Sequence, residues 1–290
     1  MFKLVIYQFI LINLNININN HIFYSEQNIK MSSRSFYIMA HRGDQQNKIE
    51  NTPEAFESLS RFTDGTSSYG DNCQLGVEFD IQLVEDQLVC YHDDSFSRLH
   101  PQFKNEPLNM NAIVKINDSI EDAHIPSFED ILKIFNEEHM RRFFLNIELK
   151  GFEITLAIKV IELIKKYNYQ YRVILTSFYP PLVEYISIHH PQLCTGFLLD
   201  DVRALAKYAK NNSWVHKINY LIFNVKSLLD KNSKDLLKNY SNKLGVYTVD
   251  NKSYITSAEL FNVIEDYPEL DLMMTDNMDE TIKNAPKHSY

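Results

Sequence analysis

The chain has 290 residues, of which 44% are hydrophobic and 23% are charged. This composition excludes a disordered or fibrous protein and provides enough chain for one large domain or two small ones. The formal net charge of −9 excludes a basic surface for nucleic acid or an anionic membrane, so an anionic ligand has to be bound by local groups.

Residues 1–32 differ in character from the rest of the sequence. They begin with a short apolar run and continue with alternating Asn and Ile. The run is too short and too polar to span a bilayer, and Gln8 and Asn13 interrupt it without a small-residue cleavage site behind it. We expect either a low-complexity extension, with Met31 as an alternative start, or a weak signal sequence. The first alternative predicts a cytoplasmic protein; a signal sequence in residues 1–20 would predict a secreted or endomembrane one.

From Phe36 onward, short apolar runs typical of strands alternate with segments of helical periodicity. The predicted strands cover 36–41, 76–83, 88–92, 143–149, 172–178, 193–199, 219–225, 243–249 and 270–276. A first helix is predicted after a Thr52 cap with Pro53 at its first position. Further helices are predicted over 127–137, 153–167 and 181–189, and after each of strands six, seven and eight.

The second and third strands are separated by residues 84–87 only, too few for a parallel crossover, so we expect a hairpin. The other strands then form eight βα units, which predicts a closed (β/α)8 TIM barrel over residues 36–282 with an extra return strand after strand two. An open doubly wound sheet is the alternative, but no GxGxxG or GxxxxGK loop follows strand one. Residues 283–290 are expected to form a C-terminal tail.

Three cysteines, Cys73, Cys90 and Cys194, are present without CxxC or zinc-site spacing. An odd count with this spacing favours buried thiols over a disulfide framework or a zinc site.

The first candidate site residues lie at the end of strand one. His41 and Arg42 stand next to each other there, where the active site of a barrel is found. A single histidine is more often structural, so this pair is weak evidence alone. The polar residues 50–52 either orient Arg42 or cap the following helix.

Acidic residues follow on the next strands. Glu78 and Asp80 are two residues apart and therefore point to one face of strand two. Acidic side chains that face into a barrel are costly unless they bind something positive, which favours a metal site over two solvated carboxylates. Glu148 and Lys150 share a face of strand four by the same rule. Three carboxylates form an oxygen site suited to Mg²⁺ or Ca²⁺ rather than zinc.

The hairpin predicts the position of a second histidine. If its turn is centred on residues 86–87, Ile81 lies opposite His92, and His92 then lies beside Asp80. The alternative is a surface pair of His92 and Asp93.

Together these residues offer a divalent cation, two histidines, an arginine and a lysine. A phosphodiester needs all of them, because its charge repels nucleophiles and its alkoxide leaving group needs a proton.

The chain resembles the glycerophosphodiester phosphodiesterase family in four motifs and their order. These are HRG with ENT and a following Ala-Phe (41–56), GVEFDIQLVED (76–86), HDD (92–94) and LNIELK (145–150). Weaker similarities continue at 176–178, 247–250 and 275–276, so the resemblance extends over about 36–282. It implies a barrel that hydrolyses glycerophosphodiesters to glycerol 3-phosphate and an alcohol.

The resemblance also implies the roles of individual residues. Glu78, Asp80 and Glu148 would bind the divalent cation, and His41 and His92 would act as general acid and base.

Arg42 and Lys150 would hold the phosphate, and Ser177 and Phe178 would lie near the glycerol or head group. Tyr247 stands where the family commonly has Trp, so its smaller ring and hydroxyl would influence which alcohol is accepted. A second departure is Ile49, where the family usually has Pro before Glu-Asn-Thr.

Residues 95–126 are expected to form a small cap segment over this site. It contains Arg98, His100, Lys104 and Lys115 among apolar residues, which is consistent either with a solvated loop or with a head-group contact.

The expected partner is a small-molecule glycerophosphodiester, without nucleic acid or strong membrane association; no oligomeric state is assigned. Three alternatives use the same barrel. A lysophospholipase D or phospholipase D would work at a membrane, which the net charge disfavours. A catalytically inactive binding protein is disfavoured because no member of the site is missing. A metal-independent phosphoinositide phospholipase C would leave the three carboxylates without a role.

Overall fold

The computed structural model describes residues 36–63, 73–121, 123–209, 213–250 and 255–285. The predicted N-terminal segment 1–32 and residues 286–290 of the predicted tail lie outside these ranges.

The strands of the described chain alternate with helices. The strands are β1 (Phe36–His41), β2 (Cys73–Val84), β3 (Gln87–Cys90), β4 (Phe144–Lys150), β5 (Val173–Ser177), β6 (Cys194–Leu199), β7 (Tyr220–Asn224), β8 (Lys243–Val249) and β9 (Leu270–Thr275). The α-helices are α1 (Pro53–Glu57), α2 (Met110–Ser119), α3 (Phe128–Asn136), α4 (Ile154–Lys166), α5 (Pro180–His189), α6 (Leu205–Ala209), α7 (Lys231–Leu237), α8 (Ser257–Val263) and α9 (Met278–Asn284).

The sheet closes into a barrel. Its strand order is β1-β9-β8-β7-β6-β5-β4-β2, and a further pairing of β1 with β2 joins the two ends. All of these neighbours are parallel, whereas β3 is antiparallel to β2, the one strand of the described chain with which it pairs. An isolated bridge also joins Val89 of β3 to Ser127. The predicted (β/α)8 barrel with an extra return strand is therefore confirmed.

Apolar side chains fill the barrel on both sides of the strands. Inside, a layer of buried residues includes Met39, Ile174, Leu198, Ile222 and Leu272. Outside, a larger cluster joins the strands to the helices. Strands that are covered on both faces have nearly continuous apolar sequences, and this is why the apolar runs predicted the strands.

The hairpin has a different register from the one predicted. Val84 pairs with Gln87, so the turn consists of Glu85 and Asp86. Both have positive φ, 45° and 74°, as in the type I′ turn whose twist suits a two-residue hairpin. Ile81 consequently lies opposite Cys90, and the predicted pairing of Ile81 with His92 is wrong.

Two helices were not predicted, and one of them changes the interpretation of the cap segment. Helix α2 lies within residues 95–126 and buries Ile113 and Ile116 against Val84, Val89 and Tyr91 of the hairpin region. This part of the segment is therefore a helix packed on the hairpin rather than a solvated loop. Helix α9 follows β9 and extends to Asn284, two residues into the predicted tail.

The basic residues of the cap segment differ in their surroundings. His100 is 1% exposed and its ring stacks on Tyr91, so it is a core residue. Lys115 pairs with Glu106 at the surface. None of the described helices has both the length and the apolar character needed to cross a bilayer.

Candidate active site

Three carboxylates meet at the carboxyl ends of β2 and β4. Asp80 and Glu148 are register partners in these neighbouring strands, and Glu78 precedes Asp80 on the same face. One oxygen from each of the three lies within 4.8 Å of the others. All three side chains are buried, with at most 9% of the residue exposed. The sequence rule that placed Glu78 and Asp80 on one face therefore agrees with the geometry.

Burial and mutual repulsion act on these acids. Burial, followed by the charges of Asp80 and Glu148, raises the pKa of Glu78 well above its usual range. Burial and the charge of Asp80 raise the pKa of Glu148 to about 7. A buried group of like charges is costly without a counter-ion. An all-oxygen group of this kind fits a hard divalent cation such as Mg²⁺ or Ca²⁺.

Asn51 fixes one of the three carboxylates. Its amide donates a 2.8 Å hydrogen bond to Asp80 Oδ2, and its own oxygen accepts from the Asp80 backbone N–H. Thr52 caps α1, with its hydroxyl accepting from the Ala55 backbone N–H. The polar residues 50–52 therefore serve both purposes that the sequence left open, orienting site residues and capping the helix.

Arg42 is held by acids on three sides. Its backbone N–H donates to Glu78 Oε2 at 3.1 Å, its Nη1 donates to Glu50 at 2.7 Å, and its Nε lies 3.3 Å from Asp80 Oδ2. Its φ of 56° is rare for a side chain of this size and is found most often at functional sites. The following Gly43 also has positive φ, and a Cβ there would lie 3.0 Å from the Ala55 Cβ, so the loop needs a glycine.

His41 is oriented by a carboxylate from the loop after β9, the strand that pairs with β1. Its Nδ1 lies 2.7 Å from Asp276 Oδ1, and its Nε2 lies 3.8 Å from Glu78 Oε2. Gln45 adds a 3.0 Å hydrogen bond from its amide to the His41 carbonyl oxygen. The ring thereby presents Nε2 to the acidic cluster.

His92 reaches the site although the hairpin register is not the predicted one. The Gln82 amide donates to the carbonyl oxygens of Tyr91 and Asp93, at 2.7 and 3.0 Å, and so holds the chain beyond β3 beside β2. His92 Nδ1 lies 2.6 Å from Asp93 Oδ1, and Nε2 lies 3.3 Å from Lys150 Nζ. His92 and Asp93 thus form the loop pair that the alternative expected, and His92 also contacts Lys150 beside the carboxylate cluster. Burial lowers the pKa of His92.

Lys150 completes the group. Its Nζ lies 3.0 Å from Glu148 Oε1. Burial lowers the pKa of Lys150, but the charges of Glu148 and Asp80 have the larger effect, so the pKa is raised. It therefore stays cationic at neutral pH.

Two of the three predicted alcohol-side residues, Ser177 and Phe178, lie next to this group, and the third, Tyr247, contacts Phe178. A cleft of about 440 Å³ is lined by Glu148, Lys150, Ser177 and Phe178, among others. The Ser177 hydroxyl donates to the Leu149 carbonyl oxygen at 2.8 Å. The Phe178 ring is 37% exposed and meets the Tyr247 ring edge-on at 5.8 Å.

Two partners of the histidines had no predicted role, and one arginine has contacts that were not predicted. Asp276 was noted only as part of a weak motif and Asp93 only as part of HDD, although each contacts an imidazole. Arg98 was assigned either to a loop or to the substrate, whereas it contacts Glu50 and Asp93. The only sequence signal for Asp276 was its position directly after a barrel strand, where active-site residues of this fold lie.

Similar proteins were found in sequence and in structure. A glycerophosphodiester phosphodiesterase of Caldanaerobacter subterraneus subsp. tengcongensis is 30% identical over 172 residues, which cover 56% of this chain and 65% of that protein. The uncharacterized protein YqiK of Bacillus subtilis is 32% identical over 152 residues, which cover 49% of this chain and 57% of YqiK. Both matches span less than two thirds of the relative.

Solved structures share the fold. A glycerophosphodiester phosphodiesterase from Parabacteroides distasonis has a TM-score of 0.62 at 20% identity, with 87% of this chain and 96% of that one covered. An Oleispira antarctica phosphodiesterase in complex with the product sn-glycerol-3-phosphate has a TM-score of 0.61 at 19% identity, with 86% and 96% covered.

The model of the glycerophosphoryl diester phosphodiesterase family matches residues 41–280. This range contains every strand from β2 to β9 and all of the site residues described above, which agrees with the motifs that carried the resemblance. The chain belongs to the glycerophosphoryl diester phosphodiesterase family.

Proposed function

We propose that this chain is a metal-dependent phosphodiesterase that hydrolyses glycerophosphodiesters to sn-glycerol 3-phosphate and an alcohol. The observation that carries the proposal is the cluster of three buried carboxylates with two histidines and two cationic side chains around it. The names of the curated relative and of the structure with bound product support the choice of substrate class.

The acidic cluster is proposed as the metal site. Glu78, Asp80 and Glu148 offer only oxygen ligands, and burial and mutual repulsion raise the pKa values of Glu78 and Glu148, a cost that a bound cation would offset. A divalent cation, Mg²⁺ or Ca²⁺, bound there would neutralise charge on the phosphoryl oxygens. Arg42 and Lys150 lie against the same carboxylates and are proposed to bind the remaining phosphate oxygens.

The two histidines are proposed as general acid and base. Each ring has its Nδ1 against a carboxylate, Asp276 for His41 and Asp93 for His92, so Nε2 is the nitrogen directed to the acidic cluster or to Lys150. One Nε2 would take a proton from the nucleophile and the other would give a proton to the leaving alkoxide.

The cleft beside Lys150 is proposed to receive the alcohol or glycerol part of the substrate. Phe178 would form part of its aromatic wall, with the Tyr247 ring packed edge-on against it. Ser177 would hold the turn before Phe178 through its bond to Leu149. The Tyr247 hydroxyl donates to the Leu199 carbonyl oxygen at 3.0 Å, which fixes the ring that supports Phe178.

A second candidate function is hydrolysis of lysophospholipids at the same centre. One observation favours it. Phe152 also lines the cleft and is 75% exposed, so its ring would pack more favourably against an acyl chain than against water.

The test is a panel of substrates with added Mg²⁺ or Ca²⁺. Purified wild type is compared with His41→Ala and with His139→Ala, which removes a surface histidine outside the site. We expect release of glycerol 3-phosphate from glycerophosphocholine or glycerophosphoethanolamine by wild type and His139→Ala, and a loss of about 100-fold or more in His41→Ala. No glycerophosphodiester hydrolysis above the His41→Ala level would contradict the proposal. Preferential release of choline from lysophosphatidylcholine would favour the second candidate.

A further inference from the structure

The guanidinium of Arg98 lies between two carboxylates. Nη1 and Nη2 each donate to Glu50 at 2.7 Å, and Nε and Nη2 donate to Asp93 at 2.7 and 3.0 Å. Paired bonds of this kind are among the strongest and most directional that a protein side chain forms.

Both carboxylates also hold a residue of the proposed active site. Glu50 Oε1 accepts from Arg42 Nη1 at 2.7 Å, and Asp93 Oδ1 lies 2.6 Å from His92 Nδ1. An unbroken series of side-chain contacts therefore runs from the proposed phosphate ligand, through Arg98, to one of the proposed proton-transfer groups.

The backbone connects this pair of residues indirectly, through β2. Arg42 lies in the loop after β1, which pairs with β2, and His92 lies beyond β3, which pairs with β2 and has a bridge from Val89 to Ser127. Among the described residues, a further hydrogen bond between these two segments is the 3.4 Å contact from the Cys90 thiol to Asn51, and a thiol is a weak donor. Gln82 of β2 also holds the chain on both sides of His92, and Arg98 adds the side-chain link that joins Arg42 to His92 through Glu50 and Asp93. The relative position of Arg42 and His92 thus depends in part on Arg98.

Charge strengthens this dependence. Glu50 is largely buried, with 9% of its side chain exposed. Burial opposes its ionisation, yet Arg98 and Arg42 together lower the pKa of Glu50 to about 2. Without Arg98, Glu50 would keep its ion pair with Arg42, and Asp93 would keep its contact with His92 but lose its ion pair with an arginine. A network of this kind contributes more than an isolated surface ion pair.

We propose that Arg98 is a positioning residue for the phosphodiesterase reaction, which holds Arg42 and His92 at their working separation through Glu50 and Asp93. The inference rests on the proposed function, because it takes the roles of Arg42 and His92 from there. Four of the five N–H donors of Arg98 already point to the two carboxylates, so its proposed role is exerted through Glu50 and Asp93 rather than on the substrate.

The test compares steady-state kinetics on glycerophosphocholine for wild type, Arg98→Ala, Arg98→Lys and Lys115→Ala. Lys115 lies in the same segment but pairs with Glu106 at the surface, so its loss should leave kcat and KM unchanged. We expect Arg98→Ala to lower kcat/KM by roughly 10- to 100-fold, as is typical for residues that orient active-site groups. Because Arg98→Ala releases both Glu50 and Asp93, it should displace both Arg42 and His92. We therefore expect kcat to fall and KM to rise.

Variants that change only one of the two carboxylates separate positioning from a general loss of structure. Glu50→Gln should act mainly on KM through Arg42, and Asp93→Asn mainly on kcat through His92. Arg98→Lys should lie between Arg98→Ala and wild type, since one ammonium group cannot form both pairs of bonds. Millimolar guanidinium should restore part of the activity of Arg98→Ala, and it should not raise that of wild type.

The outcomes distinguish this inference from the proposed function. If wild type is active and Arg98→Ala matches Lys115→Ala, the role of Arg98 is wrong and the proposed function stands. If Arg98→Ala is poorly folded, the kinetics of Arg98→Lys decide, and wild-type values for it would overturn the inference. If wild type hydrolyses no glycerophosphodiester, the proposed function fails, and calorimetric affinity for glycerol 3-phosphate decides instead. Equal affinity in wild type and Arg98→Ala would then contradict the role of Arg98.

Discussion

At the scale of single residues, the site pairs each histidine with a carboxylate through Nδ1. Asp276 belongs to the loop after the last strand, whereas Asp93 is the neighbour of His92 in sequence. A carboxylate in this position fixes the tautomer and the orientation of an imidazole and stabilises its protonated form. Asp276 and Asp93 are therefore the residues most closely tied to the action of the two histidines.

Replacing Asp276 by Asn tests this pairing. The amide keeps the size of the side chain but is neutral, so it no longer stabilises a charged His41 ring. We expect kcat on glycerophosphocholine to fall by about 100-fold with a smaller change in KM. Asp279→Asn is the control, because Asp279 lies on α9 and pairs with Arg61 outside the site. Equal kcat values for the two variants would show that Asp276 does not act through His41.

Glu50 should make stability depend on pH in acid. Its pKa is lowered from 4.5 in the unfolded chain to about 2 in the folded one, where Arg98 and Arg42 outweigh the effect of burial. A lowered pKa gives stability that is complete above the unfolded value and is lost as pH falls toward the folded value. We expect the difference in unfolding free energy between wild type and Glu50→Gln to shrink by about 2 kcal/mol from pH 6 to pH 3. Urea unfolding at the two pH values measures it, and a constant difference would contradict the assignment.

The sequence indicated those site residues that lie two positions apart on the same strand and therefore share a face. Glu78 and Asp80 follow from the period of a strand, and Glu148 and Lys150 follow from the same period near the end of strand four. The contact of His41 with Asp276 joins residues 235 positions apart, and no local pattern carries such information. Arg98 was assigned to a surface or substrate role. Its two acceptors, Glu50 and Asp93, come from different segments, so no local pattern shows that they meet at Arg98.

At the scale of elements, the hairpin shows why the register was predicted incorrectly. A type I′ turn favours Asn-Gly or Asp-Gly, whereas this chain has Glu85-Asp86 and so lacks the usual signal. Moving the turn by one residue changes the partner of every position in the ladder by two. His92 nevertheless reaches the site because Gln82 holds the chain beyond β3 through hydrogen bonds.

The hairpin turn gives a stability prediction. Asp86 has a φ of 74°, which glycine adopts at less cost. Its ion pair with Lys159 involves a carboxylate that is 74% exposed, and such pairs contribute little. We expect Asp86→Gly to stabilise the protein by about 0.5–1 kcal/mol and to raise Tm by roughly 2 °C. Asp86→Ala removes the ion pair but keeps the Cβ; if it is as stable as Asp86→Gly, backbone strain is not the cause.

The helices that were not predicted are short and have weak signals. Helix α2 contains two Asn residues and a single Ala, and its apolar side chains match the helical period only over two turns. Helix α9 has seven residues. Both are stabilised mainly by tertiary packing, which a local pattern does not contain.

At the scale of the whole molecule, an acidic chain is proposed to bind an anionic substrate. The net charge of −9 offers no general attraction for a phosphodiester, so Arg42, Lys150 and a bound cation would have to supply it locally. The barrel achieves this by bringing the ends of β1, β2 and β4 to one place, which explains why the fold and the site could be predicted together from strand-end residues.

The barrel also predicts what the N-terminal segment contributes. Barrel strands and site residues in the described chain all lie at residue 36 or later. We expect a chain that starts at Met31 to keep its Tm within about 2 °C and its kcat/KM within about twofold of the full chain. A loss of more than tenfold in kcat/KM would show that residues 1–30 take part in the site or in its folding.

The central claim is that the three carboxylates bind the cation on which activity depends. The direct measurement is the rate of glycerophosphocholine hydrolysis by chelator-treated protein before and after addition of Mg²⁺ or Ca²⁺, for wild type and for Glu148→Gln. We predict that chelation abolishes wild-type activity, that added cation restores it, and that Glu148→Gln stays inactive in both conditions. Full activity of the chelated wild type, or restoration of Glu148→Gln to the wild-type rate, would contradict the account.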